Sequence, residues 1–219
     1  MTLIECVIFD LDGVLVNSEI WWDEVRATFA VMHGRSWAAA DQRAVMGANS
    51  PGWARIMRDR LDLDLDVLEI ERAIVDGVVE RYRREGAPRI EGAVEAVRRI
   101  GADRPVAVAS SAHAAVISAA LEAIGLTDQF DVIVSSDEVP HGKPAPDVYL
   151  EAARRMGSKP SACLVVEDSY NGVRSAKAAG MTVVLVPNHS VPPAPGTAAL
   201  ADAVIASLAE LDPSIFTRS

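Results

Sequence analysis

Cysteine is nearly absent: the chain of 219 residues has two, Cys6 and Cys163. Two thiols inside separate apolar runs do not make the framework of a disulfide-stapled domain, and they read as small core residues. No apolar run approaches the ~20 residues of a membrane span. The first one, residues 6–15, is broken by Asp10 and Asp12 and lacks the basic start and small-residue cleavage site of a secretory signal. A cytoplasmic protein with no membrane contact is expected. Positive charge is also short, with 21 Lys and Arg against 31 Asp and Glu, a net −10. That balance is a poor basis for binding nucleic acid, which needs clustered basic groups. No GxGxxG supports a dinucleotide site, and no glycine precedes Gly142-Lys143 at Walker spacing. The four histidines have no metal-ligand spacing, and residues 18–85 contain no lysine.

What is present is an ordinary globular composition, 50% hydrophobic and 24% charged. The length suffices for a core without staples, in one large domain or two modest ones. The acidic excess suits a protein that gathers carboxylates around a metal ion.

The pattern divides the chain. Residues 3–10 form a short apolar run rich in Ile, Val and Phe, as in a buried parallel strand. Residues 18–85 change character. Trp22, Val25, Phe29 and Met32 recur at steps of three and four, as do Val67, Ile70, Ile74 and Val78, and no strand is evident. From about Gly86, strands at 105–109, 131–135, 162–166, 181–186 and 203–205 alternate with helices at 112–124, 146–156 and 170–179. A loop with four prolines spans 187–198. Such alternation predicts an α/β fold, a doubly wound, Rossmann-like parallel sheet. The core takes residues 1–17 and 86–219, and 18–85 are an inserted α-helical cap domain with linkers near 16–17 and 86–89. An insertion at the carboxyl end of a strand lies over the crevice where these sheets bind ligands.

Four polar signals follow the strands. Asp10 and Asp12 lie in the run Phe9-Asp10-Leu11-Asp12-Gly13, and Ser110 ends the strand at 105–109. Lys143 sits in Gly142-Lys143-Pro144, and Glu167 and Asp168 end the strand at 162–166. Their convergence makes an acidic crevice that requires a cation or protons. Oxygen ligands without a matching His or Cys cluster indicate Mg2+. Lys143 adds a point charge suited to phosphate and Ser110 a neutral donor, a cradle for a phosphoryl group. One carboxylate can attack phosphorus while a second serves as acid and base. Ser111 can contribute at the phosphate or cap the next helix, and Asp168 can cap the helix from Tyr170. Trp22, Asn49 and His113 are the candidates to touch the rest of the substrate, with His113 at a helix start facing the crevice.

The DxDGVL run, strand-end Ser, GKPxPD loop and EDS run, in this order over nearly the whole chain, resemble the haloacid dehalogenase superfamily in its helical-cap phosphatase and phosphomutase branch. The resemblance implies Asp10 as nucleophile, Asp12 as acid and base, and Ser110 and Lys143 on the phosphoryl group. It implies Mg2+ held by Asp10, the backbone carbonyl of Asp12, and Asp168, with Glu167 assisting. The expected activity is hydrolysis of phosphate monoesters of small metabolites (sugar, polyol or nucleotide-derived) by a monomer or weak dimer.

Alternatives remain. β-Phosphoglucomutase resembles the chain in the core but has a histidine where Trp22 stands and an arginine where Ser50 stands. Loss of both argues for a phosphatase. The missing cap lysine argues against a phosphonatase, and Asp12 against a dehalogenase. A receiver-like phosphoacceptor shares the acidic cluster, Ser and Lys, but carries no inserted cap.

Overall fold

The computed structural model describes residues 2–46 and 48–218. Strands β1 (Thr2–Leu3) and β2 (Cys6–Phe9) open the chain. Four helices follow: α1 (Glu19–Met32), α2 (Ala39–Val45), α3 (Ser50–Leu61) and α4 (Val67–Glu85). Then come α5 (Ala93–Gly101), β3 (Val106–Ser110), α6 (Ala114–Ala123), β4 (Val132–Ser135) and α7 (Asp147–Arg155). The rest is β5 (Cys163–Glu167), α8 (Tyr170–Ala178), β6 (Thr182–Leu185), α9 (Thr197–Leu200), β7 (Ala203–Val204) and β8 (Thr217–Arg218).

The main sheet is parallel, in the order β4-β3-β2-β5-β6-β7. Its central strand shows why both faces are covered. All four residues of β2 are buried, and they alternate. Val7 and Phe9 join the core formed with α5 and α6, around Val97, Ile100, Ile117 and Leu121. Cys6 and Ile8 join the other, with Val148 and Tyr149 of α7 and Val173 and Ala176 of α8. The chain leaves β2 toward β3 and β4, then returns to β5 on β2's other side. That reversal is the switch point at which such sheets open a crevice, and Asp10 lies there.

The doubly wound parallel sheet agrees with the sequence pattern, with local corrections. The apolar run at 3–10 is not one strand: Leu3 pairs with Thr217 in a separate two-stranded sheet, and the main-sheet strand begins at Cys6. The helix expected from 112 starts at Ala114, and the proline loop ends in the short α9. In α1, Trp22 and Phe29 are buried as expected, but Met32 is 77% exposed.

The inserted helices have clear local causes. Asn49 caps α3 by accepting from the Gly52 N–H. A capping box, Asp66 with Glu69, opens α4. Ile70, Ile74 and Val78 bury one face of α4, and α4 packs on α6 of the sheet layer. The chain enters and leaves these helices side by side. The Asn17 N–H donates to Pro88 O at 2.7 Å, and Val16 bridges to Arg89.

Candidate active site

In-register pairing of Phe9 with Val108 and Val166 sets Asp10, one residue later, beside the ends of β3 and β5. Lys143 comes in from the loop before α7. It is buried, and all three ammonium donors are placed: Asp10 Oδ1 at 2.6 Å, Glu167 Oε1 at 2.8 Å and the Ala109 carbonyl at 3.1 Å. Burial lowers the Lys143 pKa, but Asp10 and Glu167 outweigh it, and the ammonium is held well above its ordinary value.

Glu167 is fully buried and saturated. Its Oε1 accepts from Lys143 and from the Tyr149 hydroxyl at 2.9 Å. Its Oε2 accepts from the N–H groups of Asp168 and Ser169 and the Ser169 hydroxyl. Burial raises its pKa, while Lys143 and these hydrogen bonds carry it below the usual value. Asp10 goes the other way: burial pushes it to about 8, against the pull of Lys143 and with Glu167 adding repulsion. Asp168 is raised well above its ordinary value by burial, then by Glu167 and Asp10.

Oxygens of Asp10, Glu167 and Asp168 lie within 4.8 Å of one another. Three carboxyls and one ammonium leave the group short of positive charge, and the pKa values of Asp10 and Asp168 rise accordingly. An all-oxygen donor set suits a hard divalent cation, so the residues fit the metal that the family resemblance implies. The chain closes tightly around them. A Cβ on Gly13, whose φ is +88°, would lie 2.0 Å from Asp168 Oδ2, and one on Gly172 would lie 1.6 Å from Glu167 Oε1.

Asp12 stands at the start of the helical insertion. The Ser18 hydroxyl donates to its Oδ1. Burial raises its pKa, opposed by Ser18, Lys143, Trp22 and Arg26. Ser110 is buried, and its Oγ accepts from the Ala112 N–H at 3.0 Å.

A cavity of ≈ 550 Å³ unites these groups: Asp10, Asp12, Ser110, Ser111, Lys143, Glu167 and Asp168 line it. Glu19, Arg43 and Met46 enter from the inserted helices, and Val191 to Ala194 wall it from the proline loop. Trp22 lines a smaller adjoining space with Asp12. Asn49 and His113 are not among the described residues lining either space. Asn49 is occupied as the α3 cap, and His113 caps α6 by accepting from the Ala115 N–H at 3.1 Å. His113 sits instead with Glu71 and Asp137. The helix caps also differ from expectation: His113 rather than Ser111 caps α6, and Ser169 rather than Asp168 caps α8.

Three residues of the site went unread in the sequence. Tyr149 has the spacing of a core residue in α7, and nothing signals that its hydroxyl reaches Glu167. Ser18 looks like a helix cap, but its hydroxyl donates a hydrogen bond to Asp12. Gly172, three residues past Ser169, could have been found as the small residue that a close strand-to-helix turn needs.

A family model described as haloacid dehalogenase-like hydrolase matches residues 4–180. The bifunctional riboflavin kinase/FMN phosphatase of Arabidopsis thaliana is 33% identical over 211 residues, covering 95% of this chain. The chain spans 55% of that relative's length. The fructose-1-phosphate phosphatase YqaB of Escherichia coli K12 is 34% identical over 186 residues, covering 81% of this chain and 94% of that protein. Among solved structures, CbbY from Rhodobacter sphaeroides in complex with phosphate is similar, with a TM-score of 0.82 and 25% identity. That match covers 95% of this chain and 96% of the other.

Proposed function

The chain belongs to the haloacid dehalogenase-like hydrolase family and is a phosphoric monoester hydrolase; from that premise we propose that it hydrolyses small phosphorylated metabolites through a phospho-aspartate on Asp10, with Mg2+. The carrying observation is the Lys143 ammonium shared between Asp10 and Glu167 at the floor of the cavity. It holds Asp10 Oδ1 and leaves Oδ2 for phosphorus. Lys143 and the Ser110 hydroxyl face the same cavity and suit phosphoryl oxygens.

The steps balance on this chain's own groups. Asp10 attacks phosphorus, the ester P–O bond breaks, and Asp12 in its acid form gives its proton to the leaving oxygen. The Asp12 carboxylate then takes a proton from water, the water oxygen attacks phosphorus, and Asp10 leaves with inorganic phosphate released. Asp12 suits both roles, because burial favours its protonated form while Ser18 fixes one oxygen. Asp10, Asp168 and the Asp12 carbonyl would hold the magnesium ion, which when bound would offset the charge of the carboxylates and the phosphoryl group. Glu167, with both oxygens already taken, acts by orienting Lys143 and the Asp168 backbone.

The helices from 18 to 85 serve as a cap that closes on the leaving group, turning about the paired crossings at 16–17 and 86–89.

The test is Asp10→Asn assayed for phosphate release with magnesium. The amide is nearly isosteric and a very poor nucleophile, so turnover falls below about a hundredth of wild type with the fold retained. Retention of more than that, or undiminished turnover in EDTA, defeats the reading.

A further inference from the structure

Arg26, on α1, is only 6% exposed. Its guanidinium lies 5.0 Å from the Trp22 ring centroid and 5.3 Å from that of Trp53. One nitrogen donates to Gln42 Oε1 at 3.1 Å, and the buried Nε has no hydrogen-bond partner. Among the described residues no carboxylate forms an ion pair with it. A buried guanidinium with an orphan N–H is an expensive arrangement that an incoming acceptor can complete.

Arg26 faces a space of ≈ 70 Å³, with Asp12, Glu19, Trp22, Trp53 and Ser111 among its other walls. Asp12, Glu19 and Ser111 also line the catalytic cavity, so the space is an annex of it, entered past Asp12. If Asp12 protonates the leaving oxygen, whatever continues beyond Asp12 belongs to the leaving group and not to the phosphoryl group. This step rests on the phosphatase mechanism proposed above.

We infer that Arg26 is a specificity-determining residue whose Nε donates to a neutral oxygen, a hydroxyl or carbonyl, of a polyhydroxylated leaving group. Two features favour a neutral acceptor over a second anion. Glu19 and Asp23 already act on Arg26, and an anion in the annex would face the Glu19 carboxyl. Trp22 and Trp53 line the same space and give it an apolar wall for the C–H surface of a polyol.

The test uses tryptophan fluorescence to follow binding to an inert Asp10→Asn background, with and without Arg26→Gln, at saturating magnesium. The probes are a hexitol 6-phosphate, phenyl phosphate and a hexose bisphosphate. The expected result is that Arg26→Gln weakens the hexitol phosphate at least tenfold more than phenyl phosphate. In the active enzyme, kcat/KM for the two substrates should separate by the same factor, chiefly through KM. Equal weakening of all three probes, or a larger loss for the bisphosphate than for the hexitol phosphate, overturns the assignment. If Arg26→Gln does not fold, Arg26→Lys, which keeps the charge but lacks the Nε donor, should move the same ratio in the same direction; an unchanged ratio overturns the assignment too. Because binding is read without turnover, failure of the phospho-aspartate mechanism would show separately, as an Asp10→Asn variant that still releases phosphate.

Discussion

Lys143 Nζ lies 2.6 Å from Asp10 Oδ1, and the same nitrogen lies 2.8 Å from Glu167 Oε1, both buried. One ammonium thus compensates two carboxylates of different character, one with pKa raised to about 8 and one lowered. Lys143→Met removes the shared cation and leaves the buried Glu167 carboxyl without its main compensating charge. Breaking such a buried pair costs about 3–5 kcal/mol, and loss of a preorganised charge at the phosphoryl group costs about 10²–10³ in kcat. Thermal melts and steady-state kinetics check both. A variant with wild-type kcat would remove Lys143 from the catalytic set.

Protonation of Asp10 and Asp168 sets a second expectation. Their folded-state pKa values are raised, Asp10 from 3.8 to about 8. Groups raised in this way add stability at low pH that is lost as pH rises through the folded value. The metal-free protein therefore loses stability between about pH 4 and 8. Magnesium needs the deprotonated carboxylates, so its affinity rises over the same window and its binding releases protons. Calorimetric titrations in two buffers of different ionisation enthalpy count those protons, and melts at pH 6 and 8 should show a larger magnesium effect at pH 8. Equal affinity at both pH values would mean that the carboxyls are ionised before the metal arrives.

Gly172 gives a third. A Cβ there would fall 1.6 Å from Glu167 Oε1, closer than any contact can be. Gly172→Ala must push Glu167 off its partners, including Lys143 and Tyr149. Overpacking of this kind costs about 1–3 kcal/mol, and displacement of Lys143 should lower turnover at least about tenfold. The variant also separates Glu167 as an orienting group from Glu167 as a spectator, since a spectator could move without loss of kcat.

The strand ends were legible because each polar residue breaks an apolar, β-branched run, and parallel strands must present those ends together. What escaped depended on partners remote in sequence. Leu3 continues an apolar run, yet pairs with Thr217 from the far end of the chain. Ser111 reads as the cap of the next helix, but the first helical turn begins after His113, which takes that place. Tyr149 carries the signal of a core aromatic. Only the packing of α7 against β3 and β4 gives it polar work at Glu167.

The remaining prediction separates hydrolysis from phosphoryl transfer within one sugar phosphate. A mutase must keep its phospho-aspartate from water while a bisphosphate turns round, which requires a cationic grip on the distant phosphate. The site offers little for that purpose. Ser50 is fully buried at the start of α3, its N–H donating to Asp137 Oδ1 at 2.9 Å, and it is not among the described residues lining either space. Arg26 is pinned between Trp22 and Trp53 over a space of ≈ 70 Å³. Arg43 does reach the large cavity but is exposed, and exposed ion pairs are worth about 0–1 kcal/mol. With so weak a hold, water reaches the phospho-aspartate before a sugar can be turned, and Asp12 is in place to activate it. Phosphorus NMR of β-glucose 1-phosphate with a trace of glucose 1,6-bisphosphate should therefore show inorganic phosphate appearing and no glucose 6-phosphate. Interconversion faster than phosphate release would mean that Arg43 closes onto the distal phosphate, and Arg43→Ala should then abolish the interconversion while sparing hydrolysis.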